Sequence, residues 1–544
     1  MRLWKILNKK KQKDIVKILL ENRGIKSKKE VEEFLSPPKP SDLNLKDFEI
    51  DKKEIDKAIK RILRAKAKKE KVVVYTDYDA DGVCGGTIVW ETLHKMGLSV
   101  MPYIPKRLEE GYGLSEKGID KIRQDFNPTL IITVDHGITA ADKIKYAQKF
   151  KIDTIVIDHH VKSHKSPALA LIHTTKLCAT GIAWVFVREL IKNADNYLDL
   201  VALATIADLV PLLGVNRSLV KYGLEKLNKT KRIGLLALIN SAGISIGNIG
   251  VYEVGHMLAP RINAMGRLMH ALDAMRLLCT KDEQRASSLA HKLSSTNRER
   301  QLLTQESLIH AYKLFQTKNQ ESKLIFLVHE SYNQGVIGLI AGRLVEKYYR
   351  PAIVIAKGDI YSKASARSIS GFNIIETIRQ ASDMLVDCGG HPMAAGFTVK
   401  TDHIEILQKK LETIVETKLK DNLLIHTLKI DSEISLKDIN WELYRALQSL
   451  EPYGIGNPQP IFAAFGVHEK EARLIGKDSR HLKMKISDAN GKEFDTIGFG
   501  FGNIFPDLAQ NPNLDICYTI EENNWNNHRS LQLKLKDVKM NVEN

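Results

Sequence analysis

The sequence is poor in cysteine, and the few cysteines it has exclude two architectures that depend on them. The five residues form no CxxC pair and lie far apart, at Cys84, Cys178, Cys279, Cys388 and Cys517. The wide scatter and the odd number of these cysteines argue against both a disulfide framework and a zinc ribbon. This usage fits a reducing compartment.

Long apolar runs are missing as well. No stretch approaches the roughly 18–20 apolar residues that a bilayer-spanning helix needs. The first residues, MRLWKILNKKKQKD, become charged before an apolar signal-peptide core is formed. We therefore expect a cytoplasmic protein that makes no contact with membranes.

A nucleotide-binding phosphate loop is also absent. The segment DADGVCGG (79–86) is rich in glycine, but no Gly-Lys-Ser or Gly-Lys-Thr follows it. Those residues hold the phosphates and the magnesium ion in a phosphate loop. The sequence therefore does not predict the use of ATP.

The charge that is present is mostly positive. Lysine and arginine number 81 against 65 acidic residues, which gives a net charge of +16 at pH 7. Clustered cations displace counterions from a polyanion, so the excess favours a nucleic-acid partner. A lysine-rich proteome that makes lysine-rich surfaces is the alternative explanation.

Four short segments place acidic residues at the end of apolar runs. They are VVVYTDYDADG (72–82), LIITVDHG (130–137), TIVIDHH (154–160) and LATIADLVPL (203–212). The first three have the pattern of buried parallel strands, whose carboxyl ends meet where ligands bind. One crevice should therefore collect seven side chains, the last from a helical segment: Asp77, Asp79, Asp135, Asp158, His159, His160 and Asp208.

This set of side chains predicts a metal site. Carboxylates gathered in one crevice repel one another unless cations are present. A carboxylate-rich set with imidazole suits Mn²⁺ or Mg²⁺. One aspartate between two such groups could bridge two ions about 3.5–4 Å apart, as in two-metal hydrolases. The predicted chemistry is therefore phosphodiester hydrolysis with two ions.

The same segments resemble a known superfamily. DYDADG (77–82), Asp135, DHH (158–160) and Asp208 are similar to motifs I to IV of the DHH phosphoesterases, and GGHPMAAGF (389–397) resembles the signature of the DHH-associated domain. Within the superfamily, similarity to the RecJ family lies in EGYGL (110–114), ATIADLVPL (204–212), PRINAMGRL (260–268), SARSISGF (365–372) and EPYGIGNPQP (451–460). The resemblance implies an exonuclease that degrades single-stranded DNA from 5′ to 3′ in recombination and mismatch repair.

The resemblance also implies roles for individual residues. Five positions match metal ligands, with the third as the bridging carboxylate: Asp77, Asp79, Asp135, His159 and Asp208. Three match catalytic positions beside the metals, namely Asp158, Asp81 and the possible proton donor His160. A structural role at the start of the next helix is the alternative for Asp81. The remaining matches would bind DNA phosphates, with structural salt bridges as the alternative for the arginines: Arg107, Arg261, Arg267, Ser365, Arg367, Ser368, Gly389, Gly390 and His391.

The pattern of elements predicts two α/β lobes and an all-β domain. A parallel-sheet DHH domain and a DHH-associated domain would be joined by a long helix running from Asp273 to Phe315. Short strands separated by turns predict an OB-like barrel at the end of the chain. The expected boundaries are a basic helical segment at 1–70, the catalytic domain at 71–230, a helical connector at 231–320, the substrate-binding domain at 321–415 and the barrel at 425–544.

The resemblance further implies partners. They are single-stranded DNA, single-strand-binding protein and a RecQ-type helicase, and a monomer is expected. Aromatic rings of the barrel would stack on DNA bases, with core packing as the alternative. The candidates are Phe462, Phe465, Phe499 and Trp525.

Two other functions share these motifs. Small DHH phosphodiesterases cleave short oligonucleotides or cyclic dinucleotides, but they generally lack the connecting helix and the barrel. Non-catalytic scaffold relatives lack the acidic ligands that this chain retains. Departures from the RecJ pattern at Tyr75-Thr76, Tyr332-Asn333 and residues 173–181 concern substrate details rather than the hydrolytic class.

Overall fold

The computed structural model describes residues 2–8, 14–162, 165–317, 321–508, 510–525 and 528–541. The Cα positions divide the chain into two compact units. The barrel unit comprises residues 1–43, 209–222 and 427–544, and the two-sheet unit comprises residues 44–208 and 223–426. Among the helices of the described ranges, none is long and apolar enough to cross a membrane.

The first seventy residues hold one strand as well as helices. The elements are β1 (Leu3–Asn8), α1 (Ile15–Asn22), α2 (Lys28–Leu35) and α3 (Lys52–Ala67). The expectation of a purely helical segment is wrong at β1, which pairs in parallel with the strand at Thr427–Glu433. Its alternating exposure, with every second side chain partly covered, is the pattern of a strand on a half-buried sheet.

The first α/β region begins at Lys71. Its elements are β2 (Lys71–Thr76), α4 (Ala80–Lys95), β3 (Ser99–Tyr103), α5 (Arg107–Glu110), α6 (Glu116–Asp125), β4 (Leu130–Val134), α7 (Ala141–Lys149), β5 (Asp153–Asp158), β6 (Ala170–His173), α8 (Ala179–Arg188) and α9 (Leu198–Ala207). The next helix, α10 (Gly214–Leu227), belongs to the barrel unit up to residue 222. The five strands pair in parallel in the order β3-β2-β4-β5-β6. Helices cover both faces of such a sheet, which explains the unbroken burial of β4. The predicted parallel sheet is confirmed.

A helical region follows. It contains α11 (Ile233–Ser241), α12 (Val251–Glu253), a π-helical turn (Val254–Leu258), α13 (Ala259–Leu268), α14 (Leu272–Cys279) and α15 (Glu283–Gln316). The predicted continuous helix from Asp273 is wrong at its start, because α14 ends at Cys279. Asp282 caps α15 by accepting a hydrogen bond from the Arg285 N–H, so a new helix begins there.

The second sheet lies in the same unit. Its region contains β7 (Ile325–His329), α16 (Ile337–Tyr348), β8 (Ala352–Ala356), β9 (Tyr361–Arg367), α17 (Ile374–Arg379), β10 (Leu385–His391), β11 (Ala394–Lys400) and α18 (Ile404–Lys418). The strand order is β10-β11-β9-β8-β7, with only β7 and β8 parallel among these five. An antiparallel ribbon, β10–β11, therefore forms one edge of the sheet.

The barrel unit ends the chain. Its remaining elements are β12 (Thr427–Glu433), α19 (Trp441–Gln448), β13 (Phe462–Ile475), β14 (His481–Ser487), β15 (Glu493–Gly498), α20 (Phe505–Leu508), β16 (Asn513–Trp525) and β17 (His528–Met540). Five strands follow one another in the order β13-β14-β15-β17-β16, and they form a closed barrel because β16 also pairs with β13. This closed five-stranded barrel confirms the predicted OB-like domain.

A buried arginine ties the barrel unit together. The guanidinium of Arg217 donates to the carbonyl oxygens of Phe34 (2.6 Å), Leu450 (3.0 Å) and Glu451 (2.7 Å). Asn457 is also fully buried, and its amide donates to the Leu450 carbonyl. The segment EPYGIGNPQP therefore forms part of the internal hydrogen bonding of this unit.

Candidate active site

The acidic segments lie at neighbouring strand ends, as predicted. The N–H of Asp77, after β2, donates to the Val134 carbonyl, and the N–H of Asp135, after β4, donates to the Ile157 carbonyl. Asp158 is the last residue of β5. Because adjacent parallel strands end at one edge, the three aspartates lie beside one another.

Three overlapping groups of side chains could hold cations. The ligand atoms within each group lie within 4.8 Å of one another, and the groups are Asp77-Asp79-Asp135, Asp135-His159-His160 and Asp81-His159-Asp208. Nε2 of His159 lies 3.3 Å from Oδ1 of Asp135 and 3.8 Å from Oδ2 of Asp208. Asp135 belongs to two groups, which is the position that a bridging carboxylate requires.

The chemistry of this set fits divalent metal ions. Oδ1 of Asp77 and Oδ1 of Asp135 are buried and have no hydrogen-bond partner among the described residues. Burial raises the pKa of Asp77, and the charge of Asp79 raises it further. Burial and the charges of Asp81 and Asp79 raise the pKa of Asp135 in the same way. Buried carboxylates that repel one another and lack partners need a cation, and oxygen-rich sets suit Mn²⁺ and Mg²⁺.

Asp79 has a second task at the start of α4. Its carboxylate accepts hydrogen bonds from the N–H groups of Asp81 (2.9 Å) and Gly82 (3.1 Å), so it caps that helix. A Cβ at Gly82 would lie 2.6 Å from the carbonyl oxygen of Asp77. Only glycine therefore allows the first turn of α4 to approach the strand end that carries Asp77.

The carboxylate of Asp81 contacts the start of α8, whereas the sequence suggests a role at the start of its own helix, α4. Its two carboxylate oxygens accept from the N–H groups of Ala179 (2.7 Å) and Thr180 (2.8 Å), at the start of α8. The hydroxyl of Thr180 donates in return to the Asp81 carbonyl. The structural alternative for Asp81 is thus observed, although the helix that it caps is α8 and not α4.

Asp158 orients His160. Oδ1 of Asp158 lies 2.7 Å from Nδ1 of His160, and Oδ2 accepts from the Ile138 N–H. Burial opposes ionisation of Asp158, but these hydrogen bonds and the His160 charge prevail and lower its pKa to about 2. Burial would lower the pKa of His160, but Asp158 outweighs it and raises that pKa. Nε2, the other ring nitrogen of His160, lies 3.5 Å from the hydroxyl of Tyr112.

The second sheet contributes His391 to the same crevice. Its ring lies nearly parallel to that of His160, with centroids 5.7 Å apart and planes inclined by 16°. Gly390 has a φ of +139°, and a Cβ there would collide with the Ala394 carbonyl. A Cβ at Gly389 would meet no atom within 4 Å among the described residues. The ribbon β10–β11 therefore leaves open space beside Gly389.

Four arginines lie close together next to the carboxylates, namely Arg107, Arg267, Arg300 and Arg367. Burial and the charges of Arg107, Arg300 and Arg367 lower the pKa of Arg267 to about 10, and Asp79 opposes this. In the described part of the chain, none of the four forms an ion pair with a carboxylate. Nε of Arg300 is buried without a hydrogen-bond partner there. We call these four residues the arginine cluster, and it has the charge that a phosphate group needs.

The other predicted phosphate ligands differ in their surroundings. The hydroxyl of Ser365 accepts from Arg367 (3.2 Å), so it lies in the arginine cluster. The buried hydroxyl of Ser368 donates to the Phe372 carbonyl (2.6 Å) and is occupied by that turn. Arg261 donates to Met257 and Ser294 and is not among the charges that affect Arg267.

Sequence reasoning gives no role in the site to three supporting residues. The hydroxyl of Thr76 donates to the Gly82 carbonyl, which joins the end of β2 to α4. Nε2 of His173, at the end of β6, lies 2.8 Å from the carbonyl oxygen of His160. Arg300 lies near the middle of α15. Together with Asn297 it matches an Asn-x-x-Arg trait of the RecJ family, with an ordinary surface residue as the alternative, and the sequence does not predict its place beside the other arginines. Both Thr76 and His173 stand where the chain departs from its relatives, and that departure is the available signal.

Comparisons with known proteins agree with this geometry. Residues 71–205 match the DHH family, N-terminal domain, residues 321–417 match the DHHA1 domain, and residues 430–537 match the RecJ OB domain. The single-stranded-DNA-specific exonuclease RecJ of Bacillus subtilis is 35% identical over 89% of this chain and 63% of its own length. The RecJ of Thermus thermophilus is 32% identical over 86% of this chain and 68% of its own length.

Solved structures give the same result. The crystal structure of RecJ in complex with Mn²⁺ from Thermus thermophilus matches with a TM-score of 0.83 at 28% identity, over 99% of this chain and 80% of that one. The structure of the same protein with Mg²⁺ matches with a TM-score of 0.76. Fold and site thus place the chain in the DHH class of proteins. The chain belongs to the RecJ family, which confirms the predicted family and fold class, and it spans 63% of the Bacillus subtilis relative.

Proposed function

We propose that this chain is an exonuclease that hydrolyses single-stranded DNA to mononucleotides from the 5′ end. One observation carries the proposal: carboxylate and imidazole groups whose ligand atoms lie within 4.8 Å of one another stand beside the partly buried arginine cluster. A pair of divalent cations and a DNA phosphate would complete both. The names of the relatives, single-stranded-DNA-specific exonucleases, support this substrate.

Five residues would hold two ions, Mn²⁺ or Mg²⁺. They are Asp77, Asp79, Asp135, His159 and Asp208. When bound, such ions lower the pKa of water and neutralise charge on the oxygens of a phosphodiester. The Thermus thermophilus RecJ structures with Mn²⁺ and with Mg²⁺ support this choice of metals.

The pair of Asp158 and His160 would handle a proton. The hydrogen bond from Nδ1 of His160 to Asp158 holds the ring and favours its protonated form. Nε2 would then donate a proton to the oxygen that leaves the cleaved phosphate. Asp81 would act as a positioning residue, because the α8 backbone occupies both of its carboxylate oxygens.

The arginine cluster would bind the phosphate at the 5′ end of the strand. Buried guanidinium groups form strong, directional hydrogen bonds with phosphate oxygens. Arg107, Arg267, Ser365 and Arg367 would make these contacts, with Gly389, Gly390 and His391 closing the opposite side. A terminal phosphate held in this way places the first phosphodiester near the metals, which gives the 5′→3′ polarity.

The barrel would bind a further stretch of the strand. Phe499 is 53% exposed, so its ring is available for base stacking. Nζ of Lys534 lies 5.5 Å from the ring centroid and pairs with Oε1 of Glu521 at 3.1 Å. Phe465 is also exposed, whereas Phe462 is fully buried in the core. The side chain of Trp525 lies outside the described residues.

The cellular setting belongs to the same proposal. By its family, the enzyme would act in DNA recombination and mismatch repair, in the cytoplasm and as a monomer. A RecQ-type helicase would supply single strands, and single-strand-binding protein would keep them open. Co-purification and light scattering test these partners and the oligomeric state.

The test uses long single-stranded DNA labelled at the 5′ or the 3′ end, with Mn²⁺. We expect immediate release of mononucleotide from the 5′ label, slow loss of the 3′ label, and no cleavage by Asp135→Ala. Asp120→Ala, which removes a carboxylate that pairs with Arg123, is the matched control and should retain activity. First release from the 3′ label would contradict the proposed polarity.

The second candidate is a phosphodiesterase for short oligonucleotides. The carboxylates and the arginine cluster lie in the two-sheet unit, so the chemistry does not itself require the barrel. If dinucleotides are cleaved and long strands are inert, this candidate replaces the exonuclease.

A further inference from the structure

Two stacked aromatic side chains, Tyr252 and His256, lie at and just before a π-helical turn. The elements α12, Val254–Leu258 and α13 run on without a break from residue 251 to 268. The rings of Tyr252 and His256 stack with centroids 4.6 Å apart and planes inclined by 18°. Tyr252 is 64% exposed. π-Helical turns are rare and frequently occur at functional sites, so this pair warrants an explanation.

The position of this turn relates it to the metal ligands. A Cβ on Gly255 would lie 3.7 Å from Cγ2 of Ile206, so the turn packs on the last turn of α9. That turn of α9 ends at Asp208, two residues further along. The segment that carries the exposed rings of Tyr252 and His256 therefore packs against the helix that ends next to Asp208.

Arg261 supplies a cation on the same helical segment. Its guanidinium donates to the Met257 carbonyl (2.6 Å) and to the Ser294 hydroxyl (3.1 Å), which fixes it one turn beyond His256. In the described ranges it forms no ion pair with a carboxylate. Burial lowers its pKa from a high ordinary value, which leaves the group charged at neutral pH.

We propose that Tyr252, His256 and Arg261 form a second nucleotide subsite, which holds single-stranded DNA on the Asp208 side of the crevice. A base would stack on the exposed face of Tyr252, and Arg261 would pair with an adjacent phosphate. Stacked rings accept any base, since every base has a π face, and the guanidinium has the charge complementary to the backbone. The inference rests on the proposed function for its substrate and names a binding site that is separate from the arginine cluster.

Binding is measured first, with metal-free full-length protein and oligonucleotides that carry 2-aminopurine at successive positions. A base stacked on Tyr252 should lose fluorescence at one or two positions, counted from the 5′ end. Tyr252→Ala should abolish this loss, and Tyr252→Phe should keep it because the ring remains. Tyr361→Ala removes a tyrosine of similar exposure from the second sheet and serves as the control.

Hydrolysis is measured second, with strands of two to forty nucleotides. Stacking of one base on an aromatic ring is worth about 1–3 kcal/mol, so Tyr252→Ala should raise KM for long strands by about fivefold or more. Arg261→Met should act in the same direction. The effect should shrink as the strand becomes too short to reach the subsite.

The outcomes separate the two proposals. Two results would overturn the subsite. One is 2-aminopurine fluorescence that is the same in Tyr252→Ala and in the unchanged protein. The other is a rise in KM for Tyr252→Ala that is equally large on dinucleotides and on long strands. An enzyme that cleaves no long strand at all would overturn the proposed function. The fluorescence measurement would still decide the subsite in that case, because it needs no hydrolysis.

Discussion

The carboxylate set and the arginine cluster are two neighbouring regions of one unit. Their charges are opposite, but in both regions the side chains repel one another. Each collects like charges in a place that is at least partly buried, and the opposite charges nearby do not cancel the shifts in pKa. The carboxyl groups respond with raised pKa values, whereas Arg267 keeps its proton because its pKa of about 10 is still above neutral pH. From this difference we expect the acidic region to respond to pH and to metal ions, and the basic region to keep the positive charge that an anion site needs.

Removal of Asp135, the proposed bridging carboxylate, should have the largest effect. Asp135→Asn removes the charge shared by two ligand groups, and several kcal/mol of transition-state stabilisation should disappear with it. We expect about a 1,000-fold loss of kcat/KM, together with loss of tight Mn²⁺ binding in calorimetry. Retention of both would show that Asp135 is not a ligand.

Neutralisation of the arginine cluster should have the next largest effect. A hydrogen bond to a charged group is worth about 1.5–3 kcal/mol, so Arg367→Met should raise KM by about 10- to 100-fold. The loss should be confined to strands that carry a 5′ phosphate. Equal losses on 5′-phosphate and 5′-hydroxyl strands would contradict the assignment, and Mn²⁺ affinity should be unchanged.

A change of pH should separate the two regions without any substitution. Carboxyl groups with raised pKa values stabilise the fold at low pH and cease to do so as pH rises through those values. The metal-free protein should therefore lose stability between about pH 4, the ordinary carboxyl value, and about pH 9, the pKa of Asp208.

Metal ions should reverse this loss. The rise in Tm caused by Mn²⁺ should reach several degrees and should grow with pH in scanning calorimetry, since the ions replace the protons. Asp135→Asn should flatten the pH dependence, because it removes one of the repelling charges. A metal-free Tm that rises from pH 5 to pH 8 would refute the account.

Two adjacent glycines provide the smallest expected effect. Gly389→Ala adds a methyl group where no described atom lies within 4 Å, so Tm should change by less than about 2 °C while KM rises. At Gly390 the backbone has a φ of +139°, and an added Cβ would collide with the Ala394 carbonyl. Gly390→Ala should therefore lower Tm clearly. A Gly389→Ala enzyme with unchanged KM would exclude close approach of substrate to this ribbon.

Much of the site could be predicted because strand ends determine it. The parallel pattern of β2, β4 and β5 places Asp77, Asp135 and Asp158 at one edge, whatever the rest of the chain does. The position of Asp208 is predictable too, since a carboxylate after an apolar helix needs a partner. The family resemblance adds the identity of the ligands.

Other parts could not be predicted because they depend on contacts between distant segments. The helical pattern of the first seventy residues hides the strand β1, since its partner β12 lies more than 400 residues away. The sequence suggests that Asp81 serves its own helix, but only the packed structure brings α8 to its carboxylate. Arg261 and Arg267 share one motif and look equivalent in sequence, yet they reach different places.

By itself, the sequence determined the class of fold, the run of elements in the parallel sheet, and the set of acidic residues that gather at its edge. Local periodicity and the direction of parallel strands are enough for that, because both are encoded over a few residues. Only the tertiary structure decided which side chains are buried without partners, which helix each aspartate caps, and where the arginines point. Those features depend on segments that are far apart in the chain, and burial has no local signature in the sequence.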